Sequence, residues 1–278
     1  MGQSIDMIDS NLKHGIIASV IQMFRNIGKN RDLLWNLIAR DFKNTYHGHF
    51  LGYIWSLLEP LVLTGIFYVI LIILRNDPDN LVPLKIMIGI LVYNAFSKTL
   101  ASSTVSFSRN SSLIQQIYFP RELIITSIAG FQGVRLFLSL FIIVPYMIYV
   151  SINPSLYLLL LPIASFFAIL LAKGIGMIFV ILHVRFRDIE QIVTLILRAG
   201  FYLSGVFFSA DIIPSEYLDL YFCNPVAVFI EMARGAVLGQ YTVLDLEHIR
   251  NAIIISTLIY FIGVITFKRY EKGAVLYL

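Results

Sequence analysis

Residues 156–182 read LYLLLLPIASFFAILLAKGIGMIFVIL, an apolar run carrying one charge, Lys173. Coiled as a helix rising about 1.5 Å per residue, it would be about 40 Å long, more than the roughly 30 Å hydrocarbon core of a bilayer. A helix on the surface of a soluble domain keeps a broad polar face, and this one has none. It is therefore read as crossing a membrane. The same test carried outward along the chain finds apolar runs near 54–74, 85–105, 123–150, 191–209 and 250–267. Lys85, Asn94, Ser97 and Lys98 make 85–105 the weakest of the six expected spans. The expected fold class is an all-α membrane protein.

Composition agrees. Of the 278 residues 58% are hydrophobic and 14% charged, against about 25% charged in soluble domains, which excludes an ordinary globular chain. The net charge of +4 fits loop cations on the cytoplasmic side better than nucleic-acid binding. Cys223 is the only cysteine, which leaves no intrachain disulfide framework and no thiolate zinc site. No repeat or linker divides the chain. It reads as one domain over 1–278, with 1–50 cytoplasmic or interfacial and 51–278 transmembrane. The first long apolar block starts near Ile54 after some fifty mixed residues, so the N-terminal part is expected to stay with the fold rather than be cleaved as a signal peptide.

In that N-terminal part, Ile16, Ile17, Val20, Ile21 and Phe24, then Leu33, Leu34, Leu37, Ile38 and Phe42, fall on single helical faces with Lys and Arg around them. Such amphipathic helices lie in the membrane interface or pack on a partner. If the N-terminus is inside, thirteen cations fall on inner segments: Lys13, Arg25, Lys29, Arg31, Arg40, Lys43, Arg109, Arg121, Arg185, Arg187, Lys268, Arg269 and Lys272. Two, Arg75 and Arg234, fall outside, which places both termini in the cytoplasm. Residues 210–244 are too broken by Pro214 and Pro225 to cross. With Ser215 as an expected N-cap and Gly239 as a C-cap, they read as a re-entrant helical hairpin between the fifth and sixth spans, or as a structured outer loop.

The chain lacks the residues of bond chemistry. No GxxxxGK[ST] phosphate loop is present, and the five histidines, including His47 and His49, show no HExxH or similar metal-ligand spacing. Neither a catalytic nor a metal site is expected. Charged residues inside spans are functional candidates by default. Arg135, Lys173 and Arg198, all expected in the cytoplasmic half and without nearby acids, suit an anionic group such as a lipid pyrophosphate, or snorkel to the interface. Phe201, Tyr202, Phe207 and Phe208 cluster at the end of the fifth span. They could offer sugars a sliding surface, or simply pack.

Five stretches carry a family resemblance from about Arg31 to Leu278. They are LGYIWSLLEP at 51–60, YFPRE at 118–122, RFRDI at 185–189, FYLSGVFF at 201–208, and Asn224-Pro225-Val226 with Glu231 and Arg234. Together they resemble the transmembrane subunit of ABC transporters that export lipid-linked cell-surface polysaccharides: O antigen, capsule or wall teichoic acid. The resemblance implies a homodimeric multi-pass permease in the bacterial inner membrane. It works with two copies of a separate ATPase, which hold ATP and magnesium, so this chain carries no cofactor of its own.

The implied substrate is an undecaprenyl-pyrophosphate-linked polysaccharide, O antigen first. Coupling to the ATPase would fall to two short cytoplasmic helices in 108–122 and 184–191, with Phe119, Pro120, Arg121, Glu122, Arg185, Arg187 and Asp188. The channel would be lined by Tyr53, Trp55, Glu59, Phe201, Tyr202, Phe207, Phe208, Asn224, Glu231 and Arg234. Two other classes remain. An ion-coupled secondary transporter would need inverted repeats or an acidic midplane site, and a membrane-embedded transferase could use Asp211, Glu216 and Asp219.

Overall fold

A computed structural model describes residues 16–46, 52–75, 80–152, 156–239 and 244–277. Lys13, His47, His49 and Leu51, and the side chains of Tyr53 and Arg75, lie outside the described residues. Among the described residues the regular structure is all helical, without strands. In chain order the helices are α1 Ile16–Lys29, α2 Arg31–Tyr46, α3 Trp55–Arg75, α4 Val82–Thr104, α5 Ser106–Arg109, α6 Ser111–Gln116, α7 Glu122–Tyr149, α8 Leu160–Arg185, α9 Ile189–Leu203, α10 Ser215–Phe222, α11 Pro225–Leu238 and α12 Leu246–Val275. Short 3₁₀ turns precede α3, α8 and α10.

Helix α8 is the hub, with α4, α7, α11 and α12 packed around it. Its Ala164, Ala168, Ala172 and Gly176 are buried, and small residues let backbones approach where lipid supplies no hydrophobic drive. The closest seam is with α12. A Cβ on Gly174 would come within 2.6 Å of the Tyr260 Cα, and one on Gly263 would strike the Gly174 backbone. Gly263→Val should therefore push α12 off α8 and cost at least the about 1–3 kcal/mol typical of overpacking. The check is thermal melting in detergent, where an unchanged midpoint would mean the two backbones do not touch.

Five helices are long and apolar enough to cross a membrane, among them α3, α4, α7 and α12, and α8 together with its preceding turn. The fifth expected span, 191–209, is not one continuous helix. Helix α9 stops at Leu203 rather than near 209, and at about 1.5 Å per residue it is about 22 Å long. Gly205, at φ +66°, turns the chain into a left-handed conformation that glycine adopts without strain.

Two short helices, α10 and α11, occupy the expected hairpin region. Gly239 is the α11 C-cap as expected, at φ +69°. Ser215 is not a cap: Pro214 holds that position and Ser215 is the first helical residue. Helix α10 is largely exposed, whereas α11 is buried along nearly its whole length against α4, α8 and α12.

The two N-terminal helices lie on the bundle itself. Helix α1 buries Met23 against α12, leaving Ile21 and Phe24 exposed. Helix α2 lies on α7 through Leu37 and a T-shaped contact of Phe42 with Phe131 at 5.8 Å. The bundle has two chemically distinct ends. At one, Glu122 at the start of α7 pairs with Lys268 near the end of α12, and Phe107 rests edge-on against Phe267. At the other, α10 and the start of α12 meet through Asp219 and His248.

Candidate functional site

Beside α9 the chain folds into a loop, 204–209, held from inside. The Arg234 guanidinium of α11 is 2% exposed and spends all five of its N–H donors. Nε donates to the Lys85 carbonyl, Nη1 to the Phe208 carbonyl and to Glu231 Oε1, and Nη2 to the Gly205 and Val206 carbonyls, all at 2.6–2.9 Å. Glu231 also accepts from the Ala210 amide at 3.1 Å. Asn224 caps α11 by accepting from the Val226 amide, and its amide donates to Ser204 Oγ at 2.9 Å. Thus Asn224, Glu231 and Arg234, which the family resemblance implies along a channel, sit behind the loop and fasten it. The Asn-Pro pair, a helix-start signal, could have shown that for Asn224.

The loop carries rings. Phe207 stacks on Phe67 of α3 at 5.5 Å, 9° from parallel. Phe67 also touches Phe201, which meets Tyr93 of α4 edge-on at 5.4 Å. The Tyr93 hydroxyl donates to the Leu197 carbonyl. Tyr202 and Phe208 flank Phe207, and Phe208 leads on to Tyr221. Phe201, Tyr202, Phe207 and Phe208 therefore do come together, as a half-buried sheet of rings between α3 and α9 with Tyr202 exposed. Phe67 and Tyr93 were missed, since a lone ring in an apolar run gives no signal. Trp55, exposed at the start of α3, is about 18 Å along the helix from Phe67 at 1.5 Å per residue and stands apart.

The three expected anion-binding cations do not converge. Lys173 is buried between α8 and α12 over the Tyr260 ring at 5.4 Å. Arg198 is exposed on α9. Arg135 is not free of acid: its Nη2 lies 3.4 Å from Glu59 of α3, whose carboxylate also receives Lys98 Nζ at 2.6 and 2.8 Å. In sequence Lys98 only interrupts the second expected span. It is instead the strongest partner of Glu59. A small recess of mixed lining, with Ser56, Asn94, Gln132 and Arg135 beside Pro60, Leu91, Ala95 and Leu136, adjoins this triad.

The residues expected to contact an ATPase divide. Ile117 and Tyr118, the latter 97% exposed, project from the loop between α6 and α7. Phe119, Pro120 and Arg121 are half-buried. Glu122, by contrast, is fully buried in this chain, pairs with Lys268 at 2.8 Å and accepts from Asn26 of α1 at 2.8 Å. Arg185, Phe186, Arg187 and Asp188 are exposed. They form a tight turn between α8 and α9, and no separate short helix stands there. The other loop does hold two, α5 and α6. Helix α5 packs on α8.

Long apolar helices packed through small residues, a ring-lined loop at one place and exposed charged turns at another are the features of a multi-pass membrane protein. Sequence comparison gives the class its family: the ABC-2 type transporter model matches residues 32–238, and the chain belongs to that family. It is similar to the O-antigen export system permease protein RfbA of Klebsiella pneumoniae, 28% identical over 251 residues, 90% of this chain and 96% of that one. The protein of the same name from Myxococcus xanthus is 26% identical over 203 residues, 71% and 76% of the two chains. The polysialic acid transport protein KpsM of Escherichia coli is 27% identical over 215 residues, 74% and 81%.

Proposed function

We propose that this chain is the permease of an ATP-driven exporter that moves a polysaccharide, lipid-linked and of the O-antigen kind, across a bacterial inner membrane. Capsular polysaccharide and wall teichoic acid are the variant cargoes within the same reading. The observation that carries it is the similarity to O-antigen export permeases over nearly the full length of both chains. In this reading two copies pair with two copies of a separate ATPase, which binds ATP and magnesium. Both termini face the cytoplasm. Helix α9 and loop 204–213 together make the fifth of six crossings, and α10 with α11 forms the hairpin at the outer mouth.

The chain's own geometry supports this direction. The exposed turn at Arg185–Asp188 and the Tyr118 loop gather with the cation-rich end of the bundle, as the asymmetry of Lys and Arg in cytoplasmic segments requires. The ring sheet of Phe67, Phe201, Tyr202 and Phe207 lies further along α3 and α9. Flat rings give sugars contact area without fixing a single register. ATP shifts the permease only if the ATPase contacts its two arrangements differently, and exposed charges on a tight turn can make such contacts.

Arg187→Ala with Asp188→Ala tests this. Export should fall at least tenfold while membrane insertion and yield stay unchanged, because neither side chain is buried. Normal export by the double variant would remove the turn from the coupling path. An ion-coupled transporter would instead work without the ATPase.

A further inference from the structure

The two membrane arginines engaged with acids differ in how much of their bonding capacity the protein uses. Arg234 spends five donors on its own chain. Arg135 spends one, at 3.4 Å, although its side chain is only 17% exposed. Beside it Gln132, 5% exposed, lines the same recess, and among the described residues its amide has no hydrogen-bond partner. Around Glu59 the charges sum to one negative against two positive, Lys98 and Arg135. A partly dehydrated guanidinium with donors to spare and an unpartnered amide face one recess, and a second cation, Lys98, meets that guanidinium at the shared Glu59 carboxylate; together they have the composition of a receptor for a polyoxygen anion.

Depth fixes the kind of anion. Helix α2, amphipathic and laid on α7 at Ser127 and Phe131, marks where the interface meets that helix. Arg135 lies four residues further in, about 6 Å at 1.5 Å per residue. That is within reach of lipid phosphates. Helix α3, which carries Glu59, is also the least anchored of the long helices: 17% of its apolar window is buried against 67% for α4. Among the described residues, Glu59 makes the only ion pairs of α3.

We propose that Lys98, Arg135 and Gln132 form a phosphate-binding site in which the Glu59 carboxylate is the resident occupant. A phosphate or pyrophosphate headgroup of a membrane lipid displaces Glu59 and thereby releases α3 from α4 and α7. The inference rests on the export reading only for the cargo that would use the site. Lipid recognition and helix release then become one event, since the anion takes the cations that had tied α3 in place.

The test uses the full chain with Trp35→Phe, so that Trp55 at the start of α3 is the only tryptophan and reports the surroundings of that helix. Reconstituted in phosphatidylcholine vesicles, its emission is followed as phosphatidic acid is added to the bilayer. The site predicts a saturable shift, weakened at least tenfold by Arg135→Gln and by Lys98→Gln and retained in Lys98→Arg. Glu59→Gln should show the shifted emission in phosphatidylcholine alone. An equal phosphatidic acid response in Arg135→Gln, or a Glu59→Gln spectrum like that of the parent, overturns the proposal. A matching response to inorganic pyrophosphate in pure phosphatidylcholine vesicles would overturn entry from the lipid. Glycan and ATPase are absent from these vesicles, so failure here leaves export untouched, and failure of export leaves this result standing.

Discussion

Arg234→Ala should yield a chain that inserts into membranes yet cannot be extracted as a single folded species. The substitution strands the carbonyls of Lys85, Gly205, Val206 and Phe208 and leaves the largely buried Glu231 carboxylate without its cation. Breaking a buried ion pair from one side costs about 3–5 kcal/mol, and each stranded polar group about 1–3 kcal/mol. Against total stabilities of about 5–15 kcal/mol, that removes the fold around loop 204–209. Arg234→Lys should fall between the parent and alanine, since an ammonium keeps the charge but cannot fork to four carbonyls. Size-exclusion profiles and melting midpoints in detergent decide it. A parental melting midpoint for Arg234→Ala would show that the clamp does not hold the loop.

Glu122→Ala should be the next most damaging change, at the other end of the bundle. Its carboxylate is fully buried and ties α7 to Lys268 of α12 and Asn26 of α1. Among the described residues Lys268, 9% exposed, would keep Glu271 at 3.6 Å, so the loss should lie near the lower end of the about 3–5 kcal/mol for a broken buried pair. Removing both charges, as Glu122→Gln with Lys268→Met, should recover part of it, because the penalty comes from the uncompensated charge. Strict additivity of the two single variants would show that the pair is not coupled. The export consequence is separate. Glu122 begins the helix that follows the exposed Tyr118 loop, so loosening it should lower export while the ATPase still binds, which co-purification can read.

What lipid imposes on the chain was legible. A membrane demands about twenty apolar residues per crossing, and the runs around α3, α4, α7 and α8 met that demand with ends within a few residues of those observed, whereas α12 runs on to Val275, past the apolar run that ends near 267. The fifth run misled because Phe201 to Phe208 is as apolar as any helix. What ends α9 is Gly205 and a guanidinium 29 residues further along. The grouping of Phe201, Tyr202 and Phe207 was legible because the residues are near neighbours in sequence. Phe67 and Tyr93, which complete the ring sheet, come from other helices.

Charged residues were the hardest to read. Composition shows that a charge lies in an apolar run, and not whether its partner is 3 or 149 positions away, as for Arg234 with Glu231 and with the Lys85 carbonyl. Lys98 and Arg135 find the same acid on a third helix. Glu122 followed an arginine in a loop motif and so read as exposed, although the fold buries it.

The most direct measurement is glycan uptake into sealed vesicles holding this chain with its ATPase, with each component withdrawn in turn. Lipid-linked polysaccharide should reach the far side only when both proteins and ATP are present. Transport by this chain alone, sustained without nucleotide, would contradict a passive permease driven from outside.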